Sequence, residues 1–235
     1  MPRDAARDPL EQGMFFATFY FYCRSPFLPA PSKLLFLPGA SGDTRFWQPL
    51  ADRLSHPAAG TVIGYPGFGP VPPSPDVSGF DDLVARVVKE IDQPTALIAQ
   101  SMGGAIAMRV ALERPGLVTH LVLSVTSGGI DTKGLGAADW RIGFSEANPQ
   151  LPDWFVSFNS DLGAELGKIS APVLLLWGDA DPISPVAVGQ RLLALLPDAE
   201  LHVVSGGNHD LANVHARHLA PMVDAHLAKP SLADR

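Results

Sequence analysis

The sequence predicts an α/β fold: a mostly parallel sheet with helices on both faces. First, six short and mostly apolar runs, bounded by Gly, Pro or polar residues, have the length and composition of strands buried on both sides. Second, segments between them carry apolar residues at helical spacing. Alternating strand and helix forces parallel strands joined by crossover helices, because a parallel neighbour is reached only by crossing the sheet.

Lys33–Leu37 opens the series and Thr61–Gly64 follows. Phe80, Leu83, Val84, Val87, Val88 and Ile91 then recur at helical spacing after Ser78. Thr95–Ala99 is the next strand, followed at once by the small residues Gly103, Gly104 and Ala105. His120–Val125 and Val173–Trp177 are strands, and Ser184 before Pro185 reads as a cap opening a helix. Glu200–Val204 is the last strand, and a C-terminal helix carries His215, His218 and His226. Upstream, Met14–Cys23 is expected to form one or two aromatic-rich strands behind a disordered leader. It is too short to span a bilayer, and the mixed charges of Arg3, Asp4, Arg7, Asp8 and Glu11 do not make the basic start of a signal peptide.

At 235 residues with no linker-like stretch, the chain is expected to form one domain over 1–235. Hydrophobic residues at 46% and charged ones at 17% fit an extensive buried sheet. The net charge of -7, without a run of Lys or Arg, argues against nucleic acid or an anionic membrane as partner. Cys23 is the single cysteine, so no intramolecular disulfide can form, and no Cys or His stands at metal-site spacing around it. The expectation is a cytoplasmic protein with neither metal nor cofactor.

In an open parallel sheet, functional atoms gather at the carboxyl ends of the strands, where loops and helix N-termini converge. Ser101 falls there, in a turn kept tight by Ala99, Gly103 and Gly104. A helix beginning at Met102 would aim free N–H groups and its positive end at the same point, where they would stabilise an oxyanion. The other reading of these residues is an ordinary strand–helix junction capped by Ser. The stretch Ala99-Gln100-Ser101-Met102-Gly103 resembles the nucleophile elbow G-x-S-x-G of the α/β-hydrolase fold family, with Ala for the first Gly. The resemblance extends over roughly residues 33–228 and includes Gly64–Gly69, "GYPGFG", which is similar to a Gly-rich turn of the family.

A serine hydroxyl needs a base, and the base needs an orienting group. Of the seven histidines, His209 alone stands in a Gly-rich loop just beyond the last strand, and the family resemblance implies a catalytic histidine there. The same resemblance implies the orienting acid at Asp181 in "GDADP", with Asp179 as the alternative. Ser101, Asp181 and His209 then follow the nucleophile–acid–base order of this fold. Where the family usually has His-Gly-x this chain has Pro38-Gly39-Ala40, which implies an oxyanion hole made by the Ala40 and Met102 N–H groups.

About 45 residues separate the strand ending near Ser124 from the one starting at Val173, more than one crossover needs, so residues 127–170 are expected to form a small cap. Trp140, Phe144, Trp154, Phe155 and Phe158 within it, and Phe46 and Trp47 beside the oxyanion loop, are candidates for an apolar acyl pocket or for packing. No arginine cluster stands near the motifs, so the expected substrate is an uncharged or weakly polar ester with a short to medium acyl group. The function implied is a serine esterase acting on a small-molecule ester or thioester. Thioester cleavage, acyl transfer, carbon–carbon bond hydrolysis and perhydrolysis share this triad, whereas Ser101 sets the chain apart from the family's Asp-nucleophile members. A non-catalytic ligand receptor of the same fold is the contrasting class. Oligomeric state is left open by the sequence.

Overall fold

The computed structural model describes residues 27–232, so the expectations for Met14–Cys23 and for the leader lie outside the described residues. Strands run in the order β1 (Phe27–Leu28), β2 (Lys33–Leu37), β3 (Ala59–Val62), β4 (Thr95–Gln100), β5 (Val118–Ser124), β6 (Val173–Gly178), β7 (Ala199–Val204) and β8 (Ser231–Leu232). Helices are α1 (Gln48–Ala51), α2 (Phe80–Lys89), α3 (Met102–Glu113), α4 (Arg141–Ala147), α5 (Trp154–Ser157), α6 (Val186–Leu195), α7 (Leu211–Val214) and α8 (Ala216–Leu227), with a 3₁₀ turn at Leu166–Lys168. Among the described residues no helix is long and apolar enough to cross a membrane.

Six strands form one parallel sheet in the order β3-β2-β4-β5-β6-β7, while β1 and β8 pair antiparallel. Alternation along the strands divides the core. Leu35, Leu37, Leu97, Ala99, Leu121, Leu123, Leu175 and Trp177 face a layer containing α2, α3 and α6. Leu34, Phe36, Ala96, Ile98, Val122, Leu174 and Leu176 face α1, α7 and α8. The chain leaves β2 for β3 on one side and returns to β4 on the other, so a crevice opens beyond the carboxyl ends of β2 and β4.

Two expectations shift. The second strand lies at Ala59–Val62, two residues upstream, because its register is set by pairing of Lys33 with Ala59. It is an edge strand with largely exposed residues, and β7 at the other edge is only part-buried, so neither is buried on both faces. Helix α6 begins at Val186 with Pro185 as its N-terminal flank and has no side-chain cap. The Ser184 hydroxyl instead donates to the Thr126 carbonyl at 3.4 Å.

At the amino end of the sheet, His120 of β5 and His226 of α8 stack edge to face at 5.4 Å, and both are 1% exposed. His120 Nε2 donates to the Lys229 carbonyl at 2.9 Å, and among the described residues neither ring nitrogen of His226 has a hydrogen-bond partner. Burial chiefly, then the neighbouring His120 and Lys229, lowers the His226 pKa from 6.5 to about 4, against the pull of Glu200. A depressed histidine pKa means that the unfolded chain binds the proton first, so stability falls as pH drops from 6.5 through about 4. Replacing His226 with Leu should flatten that part of the stability–pH curve in urea titrations. Parallel curves for the two proteins would contradict it.

Candidate active site

Strand β4 delivers Ser101 to the crevice with φ 52° and ψ -120°. This left-handed backbone is costly for an L-residue and persists only where its surroundings enforce it. The Ser101 N–H donates to the Ser124 carbonyl at 3.1 Å. Its own carbonyl accepts from Thr126 Oγ1 at 2.6 Å and from the Gly104 N–H at 2.9 Å. The turn is tight: a Cβ on Gly103 would stand 2.5 Å from the Leu37 carbonyl oxygen and 2.6 Å from that of Pro38.

The loop after β6 brings Asp181 and the loop after β7 brings His209 to the same edge. His209 Nε2 lies 3.0 Å from Ser101 Oγ and Nδ1 lies 2.8 Å from Asp181 Oδ2. Asp181 Oδ1 accepts from the Ile183 N–H at 2.8 Å and the Ser184 N–H at 3.2 Å, and the side chain is 0% exposed. An ionised carboxylate only accepts, so the His209 proton belongs on Nδ1, leaving Nε2 to accept from the Ser101 hydroxyl. Asp179, an exposed residue, instead accepts from the Gly206 N–H at 2.6 Å and ties the two loops together.

Beyond β2, the Gly39–Ala40 turn packs beside Ser101: a Cβ on Gly39 would lie 3.0 Å from the Ser101 Cβ and would collide with Gln100 Oε1. Among the described residues neither the Ala40 nor the Met102 N–H has an intramolecular hydrogen-bond partner. Met102 borders the cleft, whereas Ala40 is buried and is not part of its lining. Gln100, 5% exposed, donates through Nε2 to the His209 carbonyl at 3.1 Å, so one side chain touches both the β2 turn and the histidine loop.

The cleft encloses about 430 Å³, within the usual range for small-molecule sites. Trp140, Trp154, Phe155 and Phe158 line it. Phe144 does not reach it and packs on Trp140 and Phe155 at 5.6 and 6.2 Å. Phe46 and Trp47 lie elsewhere, because the chain before α1 dives beneath the opposite face of the sheet. There Trp47 is fully buried and donates Nε1–H to the Leu37 carbonyl at 3.1 Å.

Several wall residues carried no sequence signal of their own. Phe80, expected only as a core position of α2, reaches the cleft and stacks on Phe158 at 3.9 Å. Val125, expected to end β5, takes φ 42° beside Ser101. Ser101 and Val125 are the non-glycine residues with positive φ among the described residues, and both line the cleft.

Residues 34–161 match the model of the alpha/beta hydrolase family, more than half of the chain, and the protein belongs to that family. It is a hydrolase of the α/β fold. Among curated relatives, a 2-hydroxy-6-oxononadienedioate/2-hydroxy-6-oxononatrienedioate hydrolase of Cupriavidus pinatubonensis is 26% identical, over 79% of this chain and 82% of the relative. A pimeloyl-[acyl-carrier protein] methyl ester esterase of Legionella pneumophila is 24% identical, over 65% and 77%. The solved meta-cleavage product hydrolase of Pseudomonas fluorescens shares the fold with a TM-score of 0.68 at 16% identity, covering 85% of this chain and 91% of that one.

Gln100→Leu keeps the side-chain volume and removes the donor to the His209 loop. It should leave the fold intact and lower kcat by up to about 10²-fold with KM little changed, the scale of a small misplacement of reacting groups. An unaltered kcat would contradict the positioning role.

Proposed function

We propose that the protein is a serine hydrolase that cleaves a carboxylic ester through an acyl-enzyme intermediate. The observation that carries this reading is the unbroken chain from Ser101 Oγ through His209 to Asp181, at 3.0 and 2.8 Å, opening on an aromatic-walled cleft. His209 Nε2 takes the Ser101 proton as Oγ attacks the substrate carbonyl. Asp181 holds the imidazole in the required tautomer and stabilises the imidazolium. The developing oxyanion is assigned to the Ala40 and Met102 N–H groups, which have no internal partner among the described residues and so suit that task. His209 then passes its proton to the departing alcohol. Water, deprotonated by the same nitrogen, attacks the acyl-serine, and the acid leaves as Ser101 regains its proton. No step calls for a metal or cofactor, and the β5–β6 connection is read as a cap that sets acyl specificity.

Carbon–carbon bond hydrolysis is the second reading, favoured by the name of the Cupriavidus relative. It would use the same three residues but expel a carbon leaving group stabilised by a neighbouring carbonyl. Parallel assays with methyl esters and with ring-fission diketo acids separate the two.

Ser101→Ala should keep the fold and abolish ester turnover, and a fluorophosphonate should label Ser101 alone, as read by peptide mass spectrometry. Near-native kcat in the variant, or a label elsewhere, would overturn the mechanism. Asp181→Asn should cut kcat by about 10⁴, as the equivalent change does in a serine protease, while Asp179→Asn should cost far less. The reverse order would reassign the acid.

A further inference from the structure

Within the cleft lining, Asp131, Lys133 and Asp139 are exposed, whereas Arg141 is half-buried among the aromatic residues. Among the Asp, Lys and Arg residues of that lining it alone is withdrawn from solvent. Its Nη1 donates to the Phe158 carbonyl, and no carboxylate of the described residues forms an ion pair with it. By contrast Arg109 is paired with Asp81 and Glu113, and Arg45 with Asp43. Loss of solvent lowers the Arg141 pKa, and the charge of Asp139 acts in the opposite sense.

A guanidinium carries five N–H donors in a planar fork, and a single bond to one carbonyl leaves most of them free. Taking such a cation out of water is unfavourable unless an anion compensates it. Here the carboxylate that acts on it, Asp139, is exposed and makes no ion pair with it, and the wall around the cleft is Trp140, Trp154, Phe155 and Phe158. We propose that Arg141 receives a carboxylate at the far end of the substrate's acyl group, so that the enzyme acts on monoesters of dicarboxylic acids and not on neutral acyl esters. This rests on the serine hydrolase reading and revises the expectation of an uncharged substrate. A carboxylate fits better than a phosphate dianion, because one withdrawn cation matches one negative charge and Lys133 stands exposed at the rim.

The competing role is structural: the bond to Phe158 ties α4 to the segment after α5. Loss of such a tie would impair all substrates alike. The test compares kcat/KM for monomethyl esters of straight-chain diacids with methyl esters of the matching mono-amides, using wild type, Arg141→Gln and Arg141→Lys. The diacid monoesters should be preferred by wild type. Arg141→Gln should lower kcat/KM for them by about 10- to 100-fold, the scale of a hydrogen bond to a charged group, and leave the amides within about threefold. Arg141→Lys should restore part of the preference. Equal losses on both series, or no wild-type preference, would overturn the proposal. If neither series is turned over, the serine hydrolase reading fails separately, and the free diacids and their diamides are titrated calorimetrically into both proteins. Diacid binding that disappears in Arg141→Gln upholds the carboxylate site, and its absence in wild type rejects it.

Discussion

Everything in the site depends on holding Ser101 at φ 52° in a turn with no room to relax. The strain is sustained by three hydrogen bonds, from the Ser101 N–H to Ser124 and to the Ser101 carbonyl from Thr126 and Gly104. It is sustained equally by the close approach of α3 to the Leu37 and Pro38 carbonyls, which only Gly103 permits. Because β2 and β4 are neighbours, the same packing that fixes the elbow fixes the Gly39–Ala40 turn beside it. Strain at a site is maintained by structure around it, and here that structure is the centre of the sheet.

Asp181 and His209 arrive on separate loops, and their alignment is a question of how those loops are tied. Asp179 bonds the Gly206 N–H, joining the β6 and β7 loops, and Gln100 bonds the His209 carbonyl, joining the β7 loop to β4. Asp181 is satisfied on one oxygen by the backbone at Ile183 and Ser184, which leaves the other for His209. Each of these bonds belongs to a loop at the carboxyl edge, so the sheet supplies the frame and side-chain-to-backbone bonds supply the register.

Much of this was legible in the sequence, for identifiable reasons. Strands buried on both faces announce themselves as apolar runs, which is why β2, β4, β5 and β6 were found nearly to the residue. The edge strand β3 has no such signature, since its exposed Ala59, Gly60 and Thr61 are small or polar and its register is dictated by β2. The elbow was legible in the small residues around Ser101, whereas Asp181 and His209 were picked out by the family resemblance of the loops that hold them. Which aromatic residues face the cleft was not. Phe46 and Trp47 follow the Gly39–Ala40 turn closely in sequence, yet the chain crosses beneath the sheet before reaching them. Arg141 was not legible either: it shares the cleft lining with aromatic residues distant in sequence and bonds the Phe158 carbonyl, and no spacing rule records that.

The central claim is that Ser101 carries the acyl group between two half-reactions. Intact-protein mass spectrometry on the wild-type protein, acid-quenched within the first turnovers of ester hydrolysis, tests it most directly. The predicted result is a mass increase equal to the acyl group, localised by digestion to the peptide holding Ser101 and absent in Ser101→Ala. Sustained turnover with no adduct at any time point, or an adduct mapping to another residue, would contradict it.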